Sequence, residues 1–241
     1  ATGVHQSDSH WGQANRLLAR IVDKTAISFP KELCSTKFCR RVFQTGMPVR
    51  ASILRHAQSS YPQDESRLFL LVLGGSSGAS FWSLRLPKIL MHLPGALKSR
   101  LKIWQQTRPD LLDMTKQAYA DLGIDAVCQS FFPDVGDLVA QSHLVLSRAG
   151  ASTLFEIATV ARPALWVPYP GAKNDHQRQN AMHFTKSYCG WMMEESKSNE
   201  EVTKLLEYIL SHPEKRKEVA CNIRKWSSAQ AHRRLSGFMV S

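Results

Sequence analysis

The stretch LSRAGASTLFEIATVARPALWVPYP, residues 146–170, places two apolar runs on either side of a turn and a helical pattern. Ser147 to Gly150 interrupt the first run, and a segment of helix-forming residues that contains one acid, Glu156, follows. The pattern predicts a strand, a glycine-containing turn, a helix and a second strand. In parallel α/β units the turn between a strand and the next helix is where phosphates bind, because helix N–H groups point there.

The same alternation of apolar runs and helical patterns continues along most of the chain from residue 67. Continuous apolar runs occur at LFLLVL (68–73), LKIWQQ (101–106), AVCQSFF (126–132), LVLS (144–147), ALWVPYP (164–170) and CGWMMEE (189–195). Helical patterns separate them, and three more at about 199–211, 214–226 and 228–237 end the sequence without a further strand. Strands without alternation are buried on both faces, so we predict a doubly wound parallel sheet with helices on each side.

The first 66 residues follow a different pattern. An extended stub at residues 1–8 precedes one helix and a short strand, GQANRLLARIVDKTAISFP, and then a loop rich in Lys, Arg and Cys. We interpret this region as the tail of another fold unit and expect residues 1–45 to be the least stable part of the chain.

Bulk composition restricts the class of protein. The chain has 241 residues, 43% of them hydrophobic, and a formal net charge of +11. No apolar run reaches the length of a membrane-spanning helix, and the first residues do not resemble a signal peptide. The five cysteines are scattered without a CxxC pair, so we expect reduced thiols and no zinc site. The positive charge is compatible with binding to nucleic acid, to an anionic membrane surface or to phosphorylated ligands, and it does not distinguish between these partners.

Three polar clusters follow predicted strands. The first cluster, Gly74 to Ala79, either binds a pyrophosphate or is simply a tight turn between a strand and a helix. It does not indicate a dinucleotide, because it lacks the GxGxxG spacing and the next strand does not end with an acidic residue. The second cluster contains Gly150 and Glu156. Glu156 is either a residue on the helix surface or a carboxylate that accepts hydrogen bonds from both hydroxyls of a ribose. The third, Asp175 to Ala181, either caps a helix or binds a polyhydroxyl ligand such as a sugar.

Taken in order, these motifs resemble the MurG family of bacterial N-acetylglucosaminyltransferases, which make lipid II in peptidoglycan synthesis. The resemblance rests on HQSDSHWGQANRLLAR, TGMPVR, LGGSSGA, FFPDV, the stretch at 147–170 and DHQRQNA. It implies a GT-B glycosyltransferase fold, with a complete C-terminal Rossmann-like donor domain plus the tail of the N-terminal domain. The implied division is 1–50 for the N-terminal remnant and linker, 51–226 for the UDP-GlcNAc-binding domain, and 227–241 for a C-terminal helix that crosses back.

The resemblance also implies roles for individual residues. Glu156 matches the acid that binds the ribose, Phe132 the backbone contact to uracil, and Arg50 the arginine at the entrance to the donor domain. His176 and Gln177 match the pair that contacts the sugar hydroxyls. The full set of implied substrate-binding residues is Asp8, Arg50, Gly75, Ser76, Ser77, Phe132, Arg148, Ala151, Thr153, Leu154, Glu156, His176 and Gln177.

Two positions depart from the family pattern. Gln6 stands where the family has glutamate, and Met47 where asparagine is usual before Pro48. The family's Gly-rich loop with its histidine, the favoured general base, is not in this sequence, so no catalytic residue is assigned. The motif HQSD at residues 5–8 matches the last part of the family's first domain.

The implied reaction transfers N-acetylglucosamine from UDP-GlcNAc to lipid I with inversion and without a metal or cofactor. The implied partners are UDP-GlcNAc, lipid I, an anionic inner-membrane surface on the cytoplasmic side, and a separate N-terminal acceptor domain; nucleic acid is not among them. Two other hypotheses remain: a non-catalytic sugar-nucleotide-binding subunit or fragment of a split glycosyltransferase, and an oxidoreductase that binds NAD.

Overall fold

Two parallel β-sheets form the framework of the computed structural model, which describes the backbone of residues 2–240 and their side chains except those of residues 75–79, 239 and 240. The first sheet has the order β1-β2-β3, with β1 at Gly3–Gln6, β2 at Lys24–Ile27 and β3 at Val42–Gln44. The second has the order β6-β5-β4-β7-β8-β9, with β4 at Leu68–Leu73, β5 at Leu101–Gln106, β6 at Asp125–Gln129, β7 at Leu144–Ser147, β8 at Ala164–Trp166 and β9 at Trp191–Met192. All pairings in both sheets are parallel.

Helices connect the strands and cover the sheets. They are α1 at Gln13–Ile21, α2 at Ala51–Leu54, α3 at Gly75–Leu90, α4 at Gly95–Lys98, α5 at Leu112–Asp121, α6 at Val135–Gln141, α7 at Ala151–Val160, α8 at His176–Lys186, α9 at Asn199–Ser211, α10 at Pro213–Ile223 and α11 at Ala231–Val240. The order of the second sheet reverses between β4 and β7, which creates the crevice where doubly wound sheets bind ligands. The predicted doubly wound sheet is therefore confirmed.

The second sheet has a hydrophobic core on each face because its central strands, β4, β7 and β8, are apolar except for Ser147. Leu70 and Val72 point into the core shared with α3 and α9, whereas Leu71 contributes to the opposite core. Helix α7 belongs to that opposite core and is buried on nearly its whole circumference. A helix that is apolar on nearly all sides is stable only inside a protein, and residues 154–160 are apolar except for Glu156 and Thr159.

Aromatic side chains join the first sheet to this core. Phe29, which follows β2, packs edge to face against Phe155 at 5.1 Å between ring centroids and against Trp226 at 5.8 Å. At the other end of the chain, Phe238 of α11 contacts Phe43 of β3 at 5.4 Å. The Phe29 contacts join the first sheet to the core of the larger sheet, and the Phe238 contact holds the last helix against the first sheet.

Several predicted boundaries need correction. The strand predicted for 126–132 ends at Gln129, so Phe131 and Phe132 lie in a loop. The strand predicted for 164–170 ends at Trp166, since Pro168 and Pro170 cannot donate a ladder hydrogen bond. The run at 189–195 contributes only β9.

The helical and N-terminal predictions also differ in detail. The helix predicted for 214–226 ends at Ile223 and passes into a 3₁₀ turn, Arg224–Trp226. The last helix begins at Ala231 rather than 228, and ahead of it the backbone N–H of Ser228 donates to the Thr159 hydroxyl at 3.0 Å. In the first 66 residues, the segment predicted as an extended stub contains β1, which pairs with β2. The strand β3 was missed, because a strand of three residues is too short to show a hydrophobic periodicity.

We expect amide hydrogens of β1 and α1 to exchange faster than those of β4 and β7. The strands of the first sheet are only three or four residues long, and Ala19 is the one buried residue of α1. Local opening therefore exposes little apolar surface there. Hydrogen exchange followed by mass spectrometry measures this difference, and equally slow exchange in β1 and β4 would contradict it.

Burial of His143 makes stability depend on pH. Its Nδ1 accepts from the Phe69 N–H at 3.1 Å and its Nε2 donates to the Asp64 carbonyl at 2.9 Å, so the ring is neutral. Burial lowers the pKa of His143 below 6.5. The unfolded chain therefore binds a proton first, and stability that is present above pH 6.5 is lost as pH falls through that value, by up to about 1.4 kcal/mol per pH unit.

Urea unfolding at pH 7.5, 6.5 and 5.5 tests this prediction. We expect His143→Asn, whose amide also accepts and donates, to show a smaller loss of stability between pH 7.5 and 5.5 than the unsubstituted chain. A residual loss is expected because burial also lowers the pKa of His5 and His183. An unchanged pH profile in the variant would rule out His143 as the source.

Candidate nucleotide-binding site

A pocket of about 210 Å³ lies at the carboxyl ends of β4 and β7, in the crevice where the strand order reverses. Its floor consists of the last residues of strands, and its walls come from the loop after β6 and from the first turns of α7. The lining residues are Arg50, Leu73, Gln106, Phe131, Phe132, Val135, Ser147, Arg148, Thr153 and Glu156. A pocket in this position is the expected ligand site of an open parallel sheet.

Glu156 and Arg50 form a bidentate ion pair at the side of this pocket. Arg50 Nε donates to Glu156 Oε1 and Arg50 Nη2 donates to Oε2, both at 2.7 Å. This hydrogen bonding raises the pKa of Arg50. The Glu156 side chain is 11% exposed and that of Arg50 57% exposed, so the arginine can move into solvent or toward a ligand while the carboxylate stays in the wall.

Packing between α2 and α6 places Arg50 at the pocket. Arg50 is the residue immediately before α2, and the carbonyl of Ser52 in α2 approaches Gly136 of α6 so closely that a Cβ there would lie 2.3 Å from it. Only glycine allows this approach. The contact lies two residues from Arg50 and thus holds the backbone near the residue that pairs with Glu156.

Arg148 lies at the base of the pocket and is almost completely buried. It forms an ion pair with Glu195, and its Nη1 donates to the Val167 carbonyl at 3.2 Å. Its guanidinium also lies over the rings of Phe81, at 5.0 Å, and Tyr169, at 5.4 Å. The positive charge is thus held rigidly beneath the turn that precedes α7, and its Nε has no hydrogen-bond partner within the described residues.

The turn itself, Ser147 to Gly150, presents the N-terminus of α7 to the pocket. Gly150 is the residue before the helix, in an extended conformation, and its carbonyl accepts from the Leu154 N–H at 3.0 Å. Thr153 reaches the pocket lining from the first turn. Free N–H groups and the positive end of the helix dipole suit a phosphate group at this point.

Asp8 and the loop after β1 contact the third polar cluster. Asn180 of α8 is fully buried; its Nδ2 donates to Asp8 Oδ1 at 2.8 Å, and its Oδ1 accepts from the Ser9 N–H at 3.0 Å. Gln6 supports this loop, because its Nε2 donates to the carbonyls of Asp8, at 2.9 Å, and His10, at 2.7 Å. A glutamate could not make these two donations, so Gln6 suits the loop conformation of this chain.

His176 and Gln177 begin α8 and are partly exposed. Lys173 and Tyr169 anchor them: His176 Nδ1 lies 2.7 Å from the Lys173 carbonyl, and Gln177 Oε1 accepts from the Tyr169 N–H at 3.1 Å. The other departure from the family pattern, Met47, accepts a hydrogen bond from the Ser28 hydroxyl at its sulfur, 3.6 Å away.

The structure therefore brings some of the predicted substrate-binding residues together in one pocket. Arg50, Phe132, Arg148, Thr153 and Glu156 share one pocket. Outside its lining lie Asp8, Ala151, Leu154, His176 and Gln177, of which Ala151 and Leu154 are buried in the core. The predictions for Gly75, Ser76 and Ser77 concern side chains outside the described residues.

Sequence reasoning missed other lining residues. Phe131, 66% exposed, was treated as the end of a strand, although its position beside Phe132 was a usable signal. Gln106 and Ser147 were recognised only as strand ends. Among the residues with described side chains, no group of three His, Cys, Asp or Glu is placed to hold a metal ion.

The sheet order and the pocket at its reversal define a doubly wound α/β protein of the class that binds nucleotides at the switch point. The chain belongs to glycosyltransferase family 28, because the model of that family's C-terminal domain matches residues 69–235.

Individual relatives agree with this assignment. A "UDP-N-acetylglucosamine--N-acetylmuramyl-(pentapeptide) pyrophosphoryl-undecaprenol N-acetylglucosamine transferase" from Paramagnetospirillum magneticum is 43% identical over 88% of this chain and 58% of its own length. A protein of the same name from a Chelativorans species is 36% identical over 98% of this chain and 63% of its own length. The chain thus spans about three fifths of the length of these relatives.

Solved structures confirm the predicted GT-B fold. The crystal structure of Acinetobacter baumannii MurG aligns with a TM-score of 0.80 at 24% identity, over 98% of this chain and 66% of that one. WaaG, a glycosyltransferase involved in lipopolysaccharide biosynthesis, aligns with a TM-score of 0.57 at 20% identity, over 84% of this chain and 57% of its own. The resemblance to the MurG family inferred from the sequence is confirmed by the named relatives.

Proposed function

We propose that this chain is the UDP-GlcNAc-binding part of an N-acetylglucosaminyltransferase that transfers the sugar to lipid I and so forms lipid II. The observation that carries the proposal is the pocket at the carboxyl ends of β4 and β7, where Glu156 and Arg50 meet beside the N-terminus of α7. Relatives whose name states this reaction are 36–43% identical to the chain.

In this proposal each group of the pocket has one task. The two oxygens of Glu156 accept hydrogen bonds from the two ribose hydroxyls, while Phe132 and its loop contact the uracil. Arg50 leaves Glu156 and turns toward the diphosphate. The first-turn N–H groups of α7 face the same diphosphate and stabilise the charge that grows on UDP as the sugar departs. His176 and Gln177, at the start of α8, hold the sugar.

Calorimetric titration of the chain with UDP-GlcNAc tests the proposal, with NAD as the control ligand. We expect UDP-GlcNAc to bind and NAD to give no heat, because the turn at Gly74 lacks the GxGxxG spacing and β5 ends without an acid. A folded chain without affinity for UDP-GlcNAc or UDP would overturn it, and NAD binding would revive the oxidoreductase hypothesis.

A second candidate is a sugar-nucleotide-binding subunit that acts with a separate acceptor-binding polypeptide. Both candidates require UDP-GlcNAc binding, so an assay of sugar transfer to lipid I by the chain alone distinguishes them. Transfer without a second polypeptide would exclude the subunit hypothesis.

The acceptor named by the relatives is attached to undecaprenol, so the proposal includes peripheral attachment to the cytoplasmic face of the inner membrane. The net charge of +11 is complementary to anionic lipids. Within residues 2–240 no helix has the length and apolar character needed to cross a membrane.

A further inference from the structure

A second pocket, of about 300 Å³, opens where the first sheet meets α8. Ser9, His10 and Trp11 of the loop after β1 form one wall, and Arg16 of α1 another. Leu33 and Ser35, which follow β2, and Gln179 of α8 complete it. We call this the first-sheet pocket. Because it lies beyond the carboxyl ends of β1 and β2, its position in the first sheet corresponds to that of the nucleotide pocket in the second.

Four polar side chains of the first-sheet pocket, those of His10, Arg16, Ser35 and Gln179, make no hydrogen bond or ion pair to the described residues, whereas the Ser9 hydroxyl donates to Asn180. Arg16 forms no ion pair with any carboxylate of the described chain; its guanidinium instead lies over the Phe38 ring, 5.6 Å from the centroid. The side chains of His10, Ser35 and Gln179 likewise make no hydrogen bond to the described residues, and no carboxylate belongs to the lining. The pocket therefore presents a positive charge and several hydrogen-bond donors that are accessible to a ligand.

Two buried hydrogen bonds hold its walls in place. Asn180 Oδ1 accepts from both the N–H of Ser9, at 3.0 Å, and its hydroxyl, at 2.9 Å. The adjacent residue, Gln179, thus stays opposite the loop that contains His10. The T-shaped contact between Trp11 and Phe38, at 5.0 Å, fixes the ring on which Arg16 rests. Walls that are already held in place reduce the ordering that a bound ligand must impose on the pocket.

We propose that the first-sheet pocket binds an oxyanion, a phosphate or carboxylate group, of the molecule that receives the sugar. A planar guanidinium beside neutral donors is the arrangement that recognises such groups. The inference rests on the proposed function, in which His176 and Gln177 hold the donor sugar. Gln179 lies on the same helix within one turn of both, so an acceptor anchored here lies next to that sugar.

Titration of the UDP-saturated chain tests the inference, since UDP keeps the nucleotide pocket closed to other anions. Sodium pyrophosphate is the phosphate probe and N-acetyl-alanyl-alanine the carboxylate probe. We expect at least one of them to bind, and Arg16→Gln and Gln179→Ala each to weaken that binding, Arg16→Gln by about tenfold or more. Arg20→Gln is the matched control, because Arg20 is exposed on the same helix but is not part of the lining.

The outcomes separate the two proposals. If only pyrophosphate binds, the ligand group of the pocket is a phosphate; if only the peptide binds, it is a carboxylate. Either result supports the inference when Arg16→Gln weakens the binding of that probe. Binding of neither probe, or equal loss in Arg16→Gln and Arg20→Gln, overturns it. Failure of UDP itself to bind overturns the proposed function, and the effect of Arg16→Gln on pyrophosphate binding still reports on the first-sheet pocket.

Discussion

Replacing Glu156 by glutamine is expected to weaken binding of UDP-GlcNAc by about tenfold to a hundredfold, which corresponds to the loss of one hydrogen bond to a charged group, about 1.5–3 kcal/mol. The volume of the side chain is unchanged, and Arg50, which loses its partner, is already more than half exposed. The fold should therefore survive. Calorimetric titration of the variant measures the effect directly.

Comparison of UDP with its 2′-deoxy analogue shows whether the loss concerns the ribose. The unsubstituted chain should prefer UDP, and this preference should shrink in Glu156→Gln because the carboxylate no longer accepts from the 2′-hydroxyl. Glu200→Gln is the control: Glu200 pairs with Lys204 on α9, away from the pocket. If Glu156→Gln discriminated between the two nucleotides as well as the unsubstituted chain does, Glu156 would not be the ribose-binding residue.

The largest effect on stability is expected for Arg162→Met, at about 3–5 kcal/mol of unfolding free energy. Arg162 is fully buried between α7 and β8. Among the described residues, its guanidinium donates only to backbone carbonyls, those of Ala140, Val160, Ala161 and Ser60, at 2.6–3.2 Å. Burial without a carboxylate lowers the pKa of Arg162 to about 10. Methionine fills the space but leaves these carbonyls without donors.

Chemical unfolding in urea provides the measurement, and Arg224→Met provides the control. Arg224 also donates to two backbone carbonyls, those of Ala57 and Ser59, but at the surface, where water replaces it. We expect a loss of less than about 1 kcal/mol there, in line with exposed hydrogen bonds. Equal losses in the two variants would show that burial is not the reason for the effect.

The alternation of strands and helices was readable from the sequence because burial on both faces leaves continuous apolar runs. The turn before α7 and the acid within it were readable for a similar reason: glycine, small residues and one carboxylate stand out in an otherwise apolar segment. The motif resemblance added Arg50 and Phe132, which no local pattern singles out.

Other features were beyond sequence reasoning because they depend on residues far apart in the chain. Glu156 and Arg50 are 106 positions apart, and their ion pair depends on the packing of α2 against α6. Asn180 was expected within a sugar-binding cluster, yet its amide is bonded to Asp8 and Ser9, more than 170 positions away. The role of Arg162 depends on carbonyls from three separate segments.

The sequence by itself thus determined the doubly wound architecture, the turn before α7 and the acid beside it, since periodicity and residue type are local properties. Only the tertiary structure decided which predicted residues share a pocket, that Arg50 holds Glu156, and that hydrogen-bond donors converge on the first-sheet pocket. These features arise when distant segments come within hydrogen-bonding distance, and local sequence patterns do not encode the long-range packing that brings them together.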